Sequence, residues 1–170
     1  MLSFLFTNSE MVLYDFDKDS DLSGWYVVDD VVMGGQSNGR FEINKQGNAV
    51  FSGNVSLENN GGFSSIRYRF KQKNIAAYNK VVLKLKGDGK KYQFRVKSSS
   101  SDRHAYIYHF QTTQKWEKIE IPLAQLKPGF RGMDLDIPHY DGKVIEEIAF
   151  LISNKKAEAF QLEIDQIILK

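Results

Sequence analysis

Two stretches bring together residue types that do chemistry. Trp25-Tyr26-Val27-Val28-Asp29-Asp30 runs into Val31-Val32-Met33-Gly34-Gly35-Gln36-Ser37, and Asn59-Asn60-Gly61-Gly62 leads into Phe63-Ser64-Ser65-Ile66-Arg67. Each couples a glycine pair to carboxylates or amides, which is more than a turn requires. Glycine pairs let backbone N–H groups approach another segment or a ligand closely, and Asp or Asn side chains tie down the freed N–H groups. Two readings stand side by side. The loops brace each other structurally, or they present a binding surface to which Trp25, Asp29, Asp30 and Met33 contribute from the first stretch, and Gln36, Asn59, Asn60 and Arg67 from its end and from the second.

Catalytic chemistry finds little footing. Asp29 and Asp30 are adjacent, so in a strand they point to opposite faces and cannot flank one glycosidic bond; Glu58 offers a weak alternative carboxylate. His104 and His109 have opposite parity on one predicted strand and His139 falls in a predicted loop, a spacing that does not gather a metal. No serine sits in a G-x-S-x-G elbow. The chain has no cysteine, which removes disulfides, thiolate metal sites and cysteine nucleophiles. Gly34-Gly35 and Gly87-x-Gly89 lack the strand, G-x-G-x-x-G and helix context that cradles a pyrophosphate, so no cofactor is expected.

Binding chemistry has more to work with. On residues 104–110, His104, Tyr106 and Tyr108 share one parity, and the neighbouring stretches supply Arg67, Arg69 and Arg95 by the same period of two. Tyrosine and arginine pair flat area with a polar tip, which suits stacking on sugars or anchoring a protein surface. The competing reading makes Tyr106, Tyr108 and Phe110 the core-facing set, because alternation does not say which face is which.

These residues need a scaffold, and the rest of the sequence reads as strands. Runs rich in Val, Ile, Phe and Tyr recur between clusters of Gly, Asn, Asp and Ser, at residues 11–16, 24–28, 39–43, 49–57, 63–70, 80–86, 91–98, 104–112, 116–122, 146–152 and 160–169. So many strands predict an all-β sandwich of two packed sheets, each hiding one apolar face. Tyr92, Phe94 and Val96 alternate with Lys91, Gln93, Arg95 and Lys97, which marks a half-buried strand. Gly87-Asp88-Gly89-Lys90, lying between two strands, predicts a tight hairpin. Pro122-Leu123-Ala124-Gln125-Leu126 suits one helical turn, and residues 127–142, with three glycines and two prolines, suit a long excursion of the kind that serves binding sites.

The 170 residues fit one domain, with its core at about residues 11–170. A 42% hydrophobic content argues for a folded chain, and 23 Lys+Arg against 21 Asp+Glu, interspersed, carry no nucleic-acid footprint. No apolar run approaches the length of a membrane span. Residues 1–6 are apolar but lack a basic n-region, so no signal peptide is read and a cytoplasmic location is expected.

The stretch from Trp25 to Ser37, Phe51-x-Gly53, Ser56-Leu57-Glu58-Asn59-Asn60-Gly61-Gly62-Phe63 with Arg67, Gly87-Asp88-Gly89, Trp116, Arg131-Gly132 and Phe160-x-Leu162-Glu163-Ile164-Asp165-x-Ile167 resemble, in order, the complex I intermediate-associated protein 30 family. The resemblance implies a jelly-roll sandwich of the galactose-binding-like kind, similar to carbohydrate-binding modules. It also implies a chaperone-like assembly role with a protein partner. This sequence looks like a bare, bacterial version without a targeting segment. A carbohydrate-binding module with a glycan ligand, or an accessory domain to a separate oxidoreductase, are the alternatives. Galactose-binding-like sandwiches often hold a structural calcium where the termini pair, which makes Asp15, Asp17 and Asp165 candidate ligands. A sugar-binding domain should present a groove lined by exposed aromatics; an assembly module should present a broad patch with an apolar centre.

Overall fold

The strand pattern closes into two antiparallel sheets packed face to face. The computed structural model describes residues 9–170, except for the side chains of Val32 and Met33. The reading of residues 1–6 as lacking a signal peptide lies outside the described residues, as does the side chain of Met33.

The chain alternates between the layers. β1 (Met11–Asp15), β3 (Asn38–Ile43), β4 (Ala49–Val55), β6 (Lys80–Lys86), β9 (Trp116–Pro122) and β13 (Glu158–Leu169) form a six-stranded sheet. Its order is β3-β4-β13-β6-β9, with β1 continuing the line of β4 along one edge of β13. β2 (Trp25–Asp29), β5 (Ser64–Asn74), β7 (Lys91–Lys97), β8 (Ala105–Gln111), β10 (Lys127–Phe130), β11 (Met133–Asp134) and β12 (Val144–Ile152) form a seven-stranded sheet in the order β11-β10-β8-β7-β12-β5-β2. With the solved structures described below, this makes the chain an all-β jelly-roll sandwich of the galactose-binding-like kind. Short 3-10 turns at Asp30–Met33, Glu58–Asn60 and Leu123–Gln125 punctuate the connections. No helix of the described residues is long and apolar enough to cross a membrane.

Period-two alternation sets the core. Tyr92, Phe94 and Val96 point inward from β7, while Val81, Leu83 and Leu85 do so from β6. Across the seven-stranded sheet Ile66, Phe150, Phe94 and Tyr108 stand in register, with Phe94 and Phe150 edge to face at 5.4 Å. One end of the sandwich is filled by aromatics: Trp25 stacks on its cross-strand partner Tyr68 at 4.8 Å, and Tyr14, Phe16 and Phe41 close around it.

Two expectations change. Residues 87–90 do not make a hairpin: β6 belongs to one sheet and β7 to the other, so the segment carries the chain across the sandwich. Both edges of β6 are already taken by β13 and β9, and both edges of β7 by β12 and β8, so the two strands have no free edge on which to pair. Asp88 accepts hydrogen bonds from Tyr92 Oη (3.1 Å) and from the Gln161 backbone N–H (2.9 Å), which ties the crossing to both layers. Gly87 lies so close to Thr112 that a Cβ there would fall 2.2 Å from it. The excursion at residues 127–142 also contains strands. β10 pairs with β8, and β10 with β11 forms a small hairpin turning at Arg131-Gly132. Pro128 is tolerated because this strand is short and near the sheet's edge.

Phe150 is fully buried between the sheets. Replacing it by Ala should lower unfolding free energy by about 3–5 kcal/mol. Urea denaturation checks this, and a loss under 1 kcal/mol, on the order of a surface substitution, would contradict the packing.

Candidate functional site

Asp30 is 1% exposed, so its carboxylate has to be satisfied by hydrogen bonds. It accepts from the backbone N–H groups of Ser37 (2.9 Å), Gly62 (2.6 Å) and Phe63 (3.2 Å), and from Ser37 Oγ. Burial works to raise its pKa, but these donors outweigh burial and hold it below the usual carboxylate value. Glycine is needed on both sides of the carboxylate. A Cβ at Gly35 or Gly61 would fall 2.3 or 2.5 Å from an Asp30 oxygen. Asp29 makes a second tie, accepting from the Gly39 N–H (2.8 Å) and from Ser64 Oγ. The two glycine-rich stretches therefore brace each other, with Asp29 and Asp30 inside the brace.

The brace forms one rim of a groove of about 860 Å3 on the outer face of the seven-stranded sheet. Tyr26, Arg67, Ala149, Arg95 and Ile107 stand in one row across β2, β5, β12, β7 and β8, and Arg69, Glu147 and Lys97 stand in the next. An antiparallel strand with one face in water should alternate in burial. β12 does not: Glu147, Ala149 and Leu151 point outward yet are 3–4% exposed, because the groove walls cover them. Arg103 on the β7–β8 connection, Arg131 on the β10–β11 turn and Lys155 on the β12–β13 connection reach the same groove, as do Asn60 and Phe63.

Its electrostatics are lopsided. The lining carries six cationic side chains and one carboxylate, Glu147, in a chain whose formal net charge is only +2. Glu147 is fully engaged. It pairs with Arg69 Nε (2.7 Å) and Lys97 Nζ (3.9 Å) and accepts from Tyr26 Oη (2.7 Å). Burial and this hydrogen bond push the Tyr26 phenol up to about 12. Arg95 has no acidic partner among the described residues: its Nε and Nη2 both donate to Gln93 Oε1, at 3.0 and 2.7 Å. Burial, together with neighbouring Arg67, pulls the Arg95 guanidinium down to about 10. Arg67 Nε reaches only the neutral Ser65 Oγ, at 3.4 Å.

The remaining sequence candidates divide. Arg67, Arg95 and Asn60 come together in the groove. Asn59 and Asn60 adopt consecutive left-handed conformations (φ 55° and 60°) at its rim, and Gln36 is exposed on the first braced stretch. Trp25 sits in the aromatic end of the core, not on a binding surface. Tyr106 and Tyr108 pack against the core, on the face opposite Arg67 and Arg95, so the expected tyrosine–arginine surface does not form. The inward-facing reading of those tyrosines is the one the sheet adopts, since they stand opposite the buried Val96 and Phe94. The termini do pair, β1 against β13, but Asp15, Asp17 and Asp165 are not gathered into a calcium site. Asp165 pairs with Lys84 at 2.7 Å, Asp17 accepts from the Asp19 N–H and Ser20 Oγ, and no cluster suited to a metal exists among the described residues. Sequence reasoning missed Glu147, Lys97, Arg103 and Lys155 as groove residues. The parity of residues 91–97 already placed Lys97 beside Arg95, but nothing local tells that the loops carrying Arg103 and Lys155 fold over that face.

The fold is that of a β-sandwich module, similar to solved carbohydrate-binding modules. The family 11 carbohydrate-binding module of the Clostridium thermocellum cellulosomal cellulase Lic26A-Cel5E superposes with a TM-score of 0.70 at 18% identity, covering 95% of this chain and 94% of that one. The same type of module from Clostridium thermocellum, in complex with a β-1,3-1,4-mixed-linked tetrasaccharide, gives 0.68 at 19% identity, with 94% of each chain covered. At these identities the similarity concerns the fold. The sequence model of the complex I intermediate-associated protein 30 family matches residues 14–164, and the chain belongs to that family. It is 24% identical to the mitochondrial complex I intermediate-associated protein 30 of Drosophila melanogaster and, equally, of Mus musculus, over 92% of its own length. It spans 61% and 55% of the lengths of those two relatives.

Asp30→Asn should cost about 1–3 kcal/mol at neutral pH, because a buried donor loses its charged acceptor. The depressed folded-state pKa means that the carboxylate's contribution is complete above the ordinary value of 3.8 and is lost as pH falls through the lower, folded-state value. The stability gap between wild type and Asp30→Asn, measured by urea titration, should therefore be constant near neutrality and narrow as pH falls from 3.8 toward the lower folded-state value. A gap independent of pH would show that the charge is not what binds the loops.

Proposed function

We propose that the chain is a non-catalytic binding module, a single sandwich domain whose groove docks a protein partner in the assembly of a larger oxidoreductase complex. The observation that carries this reading is the groove itself. It is a walled surface whose one carboxylate among the described residues, Glu147, is already engaged by Arg69, Lys97 and Tyr26 and so is not free to act as a general acid or base. Asp29 and Asp30 are equally committed, to backbone and serine donors. The family to which the chain belongs supports the assembly role, since its mitochondrial relatives are named for complex I intermediates. Docking onto a partner needs no residue beyond those of the groove and its rim, where Leu57 adds exposed apolar area.

A second reading, carbohydrate binding, is supported by the solved modules of the same fold, one of which holds a mixed-linkage tetrasaccharide. The groove gives it less support. Sugar recognition leans on exposed aromatic faces, whereas Tyr92, Tyr106 and Tyr108 face the core, the exposed Trp116 lies on β9 of the other sheet, and the aromatics of the groove face, Tyr26, Phe63 and Phe130, are half-buried.

A photo-crosslinking phenylalanine analogue placed at Ser153, exposed in the groove, should capture a discrete protein in lysate of the parent cell. The same analogue at Lys118, exposed on the six-stranded sheet, should not. Equal labelling at both positions would remove the groove from the docking surface. Retardation of the wild type in gels containing mixed-linkage glucan, without any crosslink, would favour the second reading.

A further inference from the structure

We infer that the groove selects an extended acidic segment of its protein partner, whose carboxylates are taken by Arg67 and Arg95 over the Ala149 floor. This rests on the reading above, that the groove docks a protein, and adds the chemistry of what docks. Arg67 and Arg95 stand on β5 and β7, either side of Ala149 on β12, which places their Cα atoms about 10 Å apart, two strand spacings. Both guanidiniums are oriented but not neutralised. Ser65 Oγ and Gln93 Oε1 are neutral acceptors, and among the described residues no carboxylate pairs with either arginine. Two like charges side by side in a partly walled space are unfavourable until an anion joins them. The planar fork of arginine matches a carboxylate with two parallel hydrogen bonds.

The spread of charge argues for a polymer over a lone small anion. Arg103, Arg131 and Lys155 line the same groove from three different connections, so its positive charge extends beyond the Arg67–Arg95 pair. Between the cations the floor is small or apolar, made by Ala105, Gly129, Ala149 and Leu151, which leaves room for a backbone and aliphatic stems to lie flat. A neutral glucan would leave the arginines unpaired. A nucleic acid would find the aromatic residues of this face, Tyr26, Phe63 and Phe130, only half-exposed for stacking, and outside the groove its phosphates would meet a surface of net negative charge, since the groove holds more positive charge than the chain's whole +2.

The test is fluorescence anisotropy with a fluorescein-labelled peptide of alternating Glu and Ala, long enough to span the groove, titrated with the full chain. The matching Gln-Ala peptide, polygalacturonate and single-stranded oligo(dT) serve as competitors. Saturable binding of the Glu peptide is expected, weakening as salt is raised. Arg67→Gln and Arg95→Gln should each weaken it about tenfold, and Lys118→Gln should leave it unchanged. Arg103→Gln, at an exposed position on the β7–β8 connection, should weaken it by a smaller factor. Circular dichroism melts confirm that each variant is folded. Absence of binding, binding that survives in both Arg67→Gln and Arg95→Gln, or stronger competition by polygalacturonate or oligo(dT) than by unlabelled Glu peptide would overturn the inference. The docking reading fails on a separate result, equal crosslinking at Ser153 and Lys118. If the Ser153 crosslink captures a protein but maps to a neutral or basic segment of it, the groove still docks a partner and only the acidic selectivity falls.

Discussion

A carboxylate removed from water is unstable unless several donors surround it, and Asp30 obtains its donors from segments far apart in the chain. Ser37 leads into β3 in one sheet, while Gly62 and Phe63 lead into β5 in the other, so one buried charge joins the edges of both layers. The join extends further, because Ser37 Oγ also accepts from the Ser56 N–H at 2.9 Å, just beyond β4. Each charge-assisted hydrogen bond is worth about 1.5–3 kcal/mol against the desolvation of the carboxylate. The set works only if all donors arrive together, which is why the flanking glycines, with no Cβ to hold the loops apart, are part of the same device. What rests on it is the rim: with residues 60–63 fixed, the outer face of β5 and β12 becomes a groove and not an open sheet.

The groove inverts the usual economy of a sandwich. Aromatic mass is concentrated inside, where Trp25, Tyr68, Phe94 and Phe150 stack between the layers, and charge is concentrated on one outer face. The chain's near-neutral overall charge conceals this, because charges add over the whole surface while a ligand responds to those within a Debye length, about 8–10 Å. The one carboxylate in the groove is held among Arg69, Lys97 and Tyr26, so it organises the wall without offsetting the guanidiniums of Arg67 and Arg95.

Much of this was legible in the residues, and the remainder was hidden for physical reasons. Alternation located the strands because a half-buried sheet imposes a period of two, and it separated Tyr92, Phe94 and Val96 from Gln93, Arg95 and Lys97. It could not say which set faces water, and Tyr106 and Tyr108, which read equally well as a binding surface, pack inward. β10 escaped notice because Pro128 and Gly129 carry the marks of a loop; pairing with β8 overrides them. The segment at residues 87–90 has the composition of a hairpin, but composition specifies a turn and not the partner of each flanking strand; edge occupancy, a property of the assembled sheets, sent β6 and β7 to different layers. The family motifs pointed to the glycine-rich stretches as important without telling whether they act by binding or by bracing. The hydrogen bonds to Asp30 give the second role, and the groove beside them is the product.

The position of β13 has a bearing on how such a chain comes to exist at all. Among the described residues of the six-stranded sheet, β1 pairs only with β13, and the β3–β4 hairpin and the β6–β9 pair are joined to each other only through it. While residues 158–169 are still inside the ribosome, that layer consists of separate fragments, and the edges of β4 and β6 that will flank β13 stand open. Completion waits for the C-terminal strand to thread between elements made much earlier, a closure of high sequence separation that is slow by nature. A growing chain of this design passes through an interval in which its strand edges are open to pairing with other chains.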